Sequence, residues 1–260
     1  MGSPRAWSAV AVAFVIAGLV GCSSTVNLTP PEPGAMLLAP TDLPSGFNPV
    51  PTTVAGLKSG NDELLALAAK ATVAPAECRP TADADMNKRL TQDNAAALTA
   101  RSMDATLANV VFEGARDLTA DERERTGKCA TTKTTIVGGT RDGAVITADQ
   151  RKLVAPVLDG KGPGQLGQVG RLSITQMLVV RTDTTTTMPD GATSRAVSFA
   201  GYAATHSPGK DSSKNRFTIV LTVAGQATPF AKPFPDVSPP MSDKEFVEVF
   251  SKALVAAGKA

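Results

Sequence analysis

Residues 171–187, RLSITQMLVVRTDTTTT, form the longest run in the chain whose side chains alternate in character. A period of two is that of a pleated strand, where successive side chains point to opposite faces; it does not fit a helix. Pro189-Asp190-Gly191 supplies turn chemistry, and a second strand-like run, RAVSFAGYAATH, follows. After a polar loop, RFTIVLTVAG alternates again. Three such runs joined by turns predict an antiparallel meander. Leu172, Ile174, Leu178 and Val180 are expected to share one face of it.

The preceding chain carries weaker signals. Around residues 106–112, Ala108, Val110 and Phe112 fall on one face, and Leu107, Asn109 and Val111 on the other. TTKTTIV and AVIT, split by Arg141-Asp142-Gly143, read as a hairpin. Ser59 and Asp62 suggest a capping box before ELLALAAK, with a helix over about 61–71 that ends at Val73-Ala74-Pro75. Thr119 and Glu122 suggest another capped helix, with Gly127 just past its end. The polar stretch 77–101 reads as a loop with at most a short helical turn. At the end of the chain, Ser242 and Glu245 form a capping box, and Met241 can staple against Phe246. Phe246, Val249, Phe250, Ala253 and Leu254 then recur with helical spacing. The sum is an α+β domain: an antiparallel sheet of about five to seven strands with helices packed on one face, including a C-terminal helix.

The chain's start bears on its address. Arg5 precedes an apolar run from Ala9 to Val20, which reads as a signal peptide over residues 1–21. The run falls short of the about 20 apolar residues a helix needs to cross a bilayer. Leu19-Val20-Gly21-Cys22 resembles the bacterial lipobox, which implies that Cys22 takes a diacylglyceryl group and becomes the mature N-terminus. Two or more long acyl chains give stable anchoring. Residues 22–36, rich in Ser, Thr and Pro, read as a lipidated flexible tether. Residues 37–260 then form one extracytoplasmic domain, opened by MLLAPTDLPSGF, which would lay Leu37, Leu38 and Phe47 on the core.

Of three cysteines, the lipid accounts for Cys22, leaving Cys78 and Cys129. An oxidised pair, a metal pair and a reactive thiol are the competing readings. The disulfide is favoured because thiols outside the cytosol tend to oxidise and the single histidine, His206, is remote in sequence.

The chain offers no assembled catalytic motif. Gly162, Gly164 and Gly167 spell G-x-G-x-x-G, but a strand follows where a dinucleotide site needs a helix. Ser207 and Lys210 spell S-x-x-K in a Pro- and Gly-containing turn rather than on a helix. His206 reads as a solvated histidine at a strand end. The acids at 83–86 and 121–124 read as solvated faces, the second set at a helix start where acids suit the dipole. No cofactor and no metal site is expected. A net charge of +2 without basic blocks, and one Tyr and one Trp, argue against nucleic acid as a partner. The remaining partners are the membrane, through the lipid, and a protein or lipid ligand in the envelope.

Beyond the lipobox, Leu37, Leu38, Pro44, Gly46, Cys78 and Cys129, with the early helix and the final strand-strand-helix order, resemble mycobacterial-type cell-envelope lipoproteins. Some of these are similar to the extracellular sensor domain of a receptor kinase, an antiparallel sheet with flanking helices and a cleft. That sensor domain carries two disulfides, whereas this chain has cysteines for one. With no catalytic constellation on a fold expected to form a concave sheet, the function expected is a non-enzymatic binding or sensor-like module. The alternative function is a lipid or glycolipid carrier. Mass spectrometry of the native protein is expected to find an N-terminal peptide that starts at lipid-modified Cys22; an unmodified peptide starting elsewhere would refute the lipobox reading.

Overall fold

The computed structural model describes residues 31–158, 167–206, 216–232 and 235–260. Cys22, Gly162, Gly164, Ser207 and Lys210, together with the leader and most of the tether, lie outside the described residues. In chain order the strands are β1 Asn48–Val50, β2 Thr72–Ala74, β3 Ala95–Arg101, β4 Ala105–Glu113, β5 Thr131–Thr135, β6 Val145–Lys152, β7 Gln168–Val169, β8 Leu172–Thr187, β9 Thr193–His206 and β10 Arg216–Gly225. The α-helices are α1 Val54–Lys70, α2 Ala82–Arg89, α3 Leu118–Arg125 and α4 Asp243–Lys259.

All pairings are antiparallel, in the order β1-β3-β4-β10-β9-β8-β6-β5-β2, with β7 paired to β8 outside this path. The three alternating runs are neighbours, as a meander requires, and β5 and β6 form the hairpin turned by Gly143 at φ +76°. The α+β class holds, but the sheet has ten strands rather than five to seven. The helices also cover both faces. α4 packs with Met36, Leu38, Leu107, Phe199, Ile219 and Leu221, whereas α1 and α2 place Val54, Met86 and Leu90 with Val110, Phe112, Tyr202 and Val220 on the opposite face. Met36, placed by sequence in the tether, is fully buried.

One expected face splits. Leu172 and Ile174 lie in the α4-side core, whereas Leu178 and Val180 lie in the other. The register against β9 shifts between Ile174 and Gln176, and one extra residue in a strand of period two sends every later side chain to the opposite face. Alternation on β4 runs as expected.

The helix starts also differ from expectation. α1 begins at Val54, where Thr53 Oγ1 accepts from Gly56 N at 3.0 Å, so Ser59 and Asp62 lie inside it. Asp117 caps α3 through Ala120 N at 2.9 Å, in place of Thr119. The Ser242–Glu245 capping box is present, and Gly127 takes its left-handed φ of +58°.

α4 approaches the sheet closely. A Cβ on Gly201 would lie 2.7 Å from Phe250 Cδ2, and Phe250 is fully buried. Gly201→Ala is therefore expected to lower stability by about 1–3 kcal/mol through overpacking. In urea titration this reads as a lower midpoint with an unchanged slope; an unchanged midpoint would place the ring elsewhere.

Candidate functional site

Four charged groups converge where α2, α3 and β9 meet. Arg116 sits on the turn between β4 and α3. Its backbone N–H donates to Thr218 Oγ1 at 3.1 Å, and Thr218 Oγ1 donates to Gly114 O at 2.8 Å, so a hydroxyl on β10 fixes the turn. The Arg116 guanidinium grips Asp121 on α3 with both arms, Nε to Oδ2 at 2.6 Å and Nη2 to Oδ1 at 2.7 Å. Nη2 also donates to Asp83 Oδ1 on α2 at 2.6 Å. Arg125 completes the set, 3.3 Å from Asp83 Oδ2 and 3.6 Å from Asp121 Oδ1. Both guanidinium groups lie over the Tyr202 ring, at 4.4 Å for Arg116 and 5.6 Å for Arg125.

The side chains of Arg116 and Asp121 are only 2% and 1% exposed, against 46% for Asp83. Burial pulls the Arg116 guanidinium toward losing its proton, but its hydrogen bonds to Asp121 and the surrounding negative charge outweigh this and hold it firmly protonated. Burial raises Asp83, and the charges of Arg116 and then Arg125 overcome it, leaving its carboxyl below the usual range. Burial pushes the Tyr202 hydroxyl up, so it stays neutral.

A second clamp holds the two helices in place. Cys78 and Cys129 are at disulfide-bonding distance, Cα to Cα 5.3 Å, and tie the turn before α2 to the turn after α3. Glu124 accepts from Thr81 N at 3.0 Å and from Thr81 Oγ1 at 2.6 Å, bridging the same two helices. The acids of 83–86 and 121–124 are thus not two solvated faces. Asp121 and Glu124 are buried and Asp83 is half-buried, because Arg116 and Thr81 supply the partners that make such burial tolerable.

Two clefts flank this cluster, and Arg116 lines both. One, of about 460 Å³, has mostly polar residues in its lining, among them His206, Arg216, Gln176 and Thr175. His206 faces Arg216 across the β9–β10 ladder at its last pair. The other, of about 300 Å³, lies between α1, α2 and the sheet; Leu57, Leu65, Met86, Val110 and Val220 form its walls, with Tyr202 and Asp83 at one end. The second half of α1 leaves Leu64, which also lines this cleft, and Leu67 exposed, at 66% and 57%.

No local motif marks this site. Arg116 lies in a turn, its partners lie 5 and 33 positions away, and Tyr202 lies on a remote strand. The usable signal was the lone Tyr between Ala200 and Ala204, a polar-tipped ring on a face of otherwise small residues. Among the described residues no group of His, Cys, Asp and Glu is arranged to hold a metal ion, and no helix is long and apolar enough to cross a membrane. Comparison with protein families, curated proteins and solved structures finds no match for this chain.

Because the folded Asp83 carboxyl titrates below its unfolded value of about 3.9, its stabilisation is complete above that pH and is lost as the pH falls through the folded value. The melting temperature of the wild type is expected to exceed that of Asp83→Asn near neutrality, with the gap closing below about pH 4. A gap constant from pH 7 to pH 2 would refute the ion-pair assignment.

Proposed function

We propose that the chain is an extracytoplasmic lipoprotein, held on the outer face of the cell membrane through Cys22, that acts as a non-enzymatic binding or sensor-like module. The observation that carries this reading is the apolar cleft beside α1, backed by a charge cluster whose carboxylates are all engaged. Two guanidinium groups face two carboxylates, and each carboxylate is engaged by Arg. Such a cluster offers neither a free base nor an activated nucleophile; it fixes the shape of the cleft wall. Its position suits a recognition surface, since an apolar cleft with a few convergent polar groups is the usual form of a ligand site. The resemblance to envelope lipoproteins and their sensor-like relatives supports the same assignment.

The second reading, a lipid or glycolipid carrier, is favoured by the apolar walls. The volume of about 300 Å³, at the lower end of the range for small-molecule sites, supports the module reading over a carrier of several acyl chains. Native mass spectrometry of protein extracted in mild detergent separates the two. The module reading expects the lipid-modified chain alone or with one small adduct. A stoichiometric adduct of multi-chain lipid mass would overturn it in favour of the carrier.

A further inference from the structure

The polar end of the apolar cleft holds hydrogen-bond donors that the protein itself does not use. Tyr202 is 4% exposed and lines the cleft. Its hydroxyl takes no hydrogen bond among the described residues, yet no buried polar atom among them is left without a partner, so the hydroxyl opens onto the cleft. Arg116 commits Nε and Nη2 to Asp121 and Asp83, whereas Nη1 meets only Met86 Sδ, at 3.4 Å. A thioether is a weak acceptor, and a guanidinium has five N–H groups to place. Tyr202 and Arg116 are stacked, and with Met86 they line the same cleft. The rest of the lining is largely aliphatic, with Asn61, Asn87 and Thr222 among it; the two amides are engaged with each other, and Asn87 also with Lys58 O and Asp62.

The head group follows from charge. Arg116, Arg125, Asp83 and Asp121 sum to zero, and adding a further buried charge to a balanced network is unfavourable. An uncharged oxygen with two lone pairs accepts from both donors without disturbing that balance. Resting on the binding-module reading above, we infer that the cleft takes a single-chain amphiphile whose head is an ester or amide carbonyl, held by the Tyr202 hydroxyl and Arg116 Nη1, with its alkyl tail along Leu57, Leu65, Val110 and Val220 toward Leu64. This names the ligand class for that site and distinguishes it from fatty acids and from cationic amphiphiles.

The test uses methyl octanoate, methyl decanoate, decanoate and decylamine, titrated calorimetrically into the folded protein. Each methylene buried in the cleft is expected to tighten binding about fourfold, so the decanoyl ester exceeds the octanoyl ester by about sixteenfold. The decanoyl ester is expected to bind at least tenfold more tightly than decanoate or decylamine. Tyr202→Phe keeps the ring over which Arg116 stacks; it is expected to weaken the esters about two- to tenfold while leaving the increment per methylene intact. Leu64→Ser, at an exposed position, is expected to weaken both esters severalfold and to reduce the increment. Equal affinity for the three decyl compounds, with no effect of Tyr202→Phe, would overturn the head-group assignment and leave the cleft as the binding site. Failure of every amphiphile to bind wild-type protein would overturn the ligand class, while the anchored-module reading stands or falls on the mass of the extracted protein.

Discussion

The guanidinium of Arg116 is the interaction on which the helical layer of the α1 face depends. It reaches α3 through Asp121, α2 through Asp83 and the sheet through the Tyr202 ring, so three separate pieces of chain meet on one planar group. Its fork is matched to the carboxylate of Asp121 by two parallel hydrogen bonds, a geometry that the point charge of a lysine cannot reproduce. Removing such a charge from water is unfavourable, and the Coulombic return depends on every partner being in place. That dependence makes the cluster selective. A slip of α2 or α3 by one turn would strand a charge in the interior, so the helices have one arrangement rather than several. The Cys78–Cys129 link and the Glu124–Thr81 bridge act on the same two helices and limit the slip from the other side.

The two faces of the sheet are built by different physics. On the α4 side contact is so close that glycine is required. A Cβ on Gly258 would fall 2.1 Å from Val169 O, and one on Gly170 would fall 2.0 Å from Gly258 O, while Arg171 N donates to that same oxygen at 3.0 Å. Phe199 and Phe246 stack at 5.1 Å within this layer. Dispersion and area burial dominate there. On the α1 side Val54 is the only buried residue of α1, and its second half runs past the sheet with leucines uncovered. A closely packed face supporting an incompletely covered one is an arrangement suited to binding, since the scaffold keeps its shape while the open face offers apolar surface to a ligand.

Legibility in the sequence followed the strength of local signals. The meander was readable because alternation over β8, β9 and β10 reflects burial on two faces, and α4 because its cap and its apolar stripe agree. β3 was missed because Ala95–Arg101 is mostly alanine, a weak strand former that pairs here because β4 offers a ladder on one side and β1 on the other. The first half of α1 was hidden by Gly56 and Gly60, which lower helix propensity and are outweighed by the Thr53 cap. The bulge after Ile174 left no trace, because Thr175 and Gln176 are ordinary strand surface residues. The cluster was the least legible part. The acids looked solvated because their partner, Arg116, lies in a turn, and only the three-dimensional meeting of turn, helices and strand turns exposed-looking charges into buried ones.

The path of the chain sets how an anchored body would present its cleft. Leu38 N donates to Asn109 Oδ1 at 2.9 Å, and Asn109 Nδ2 donates to Val220 O at 3.1 Å, so the lead-in segment is fastened to a fully buried amide on the α4 side of the sheet. Met36 is sealed in the same core. From there β1, at the sheet edge, carries the chain around to α1 on the opposite face. With the proposed lipid at Cys22, the membrane attachment therefore joins the body on the α4 side, away from the open cleft. A pull on the tether is borne by Asn109 and the packed α4 layer, not by the helices that shape the cleft. With that proposed anchor, attachment and recognition would act on opposite faces of one sheet, leaving the cleft on the face away from the tether.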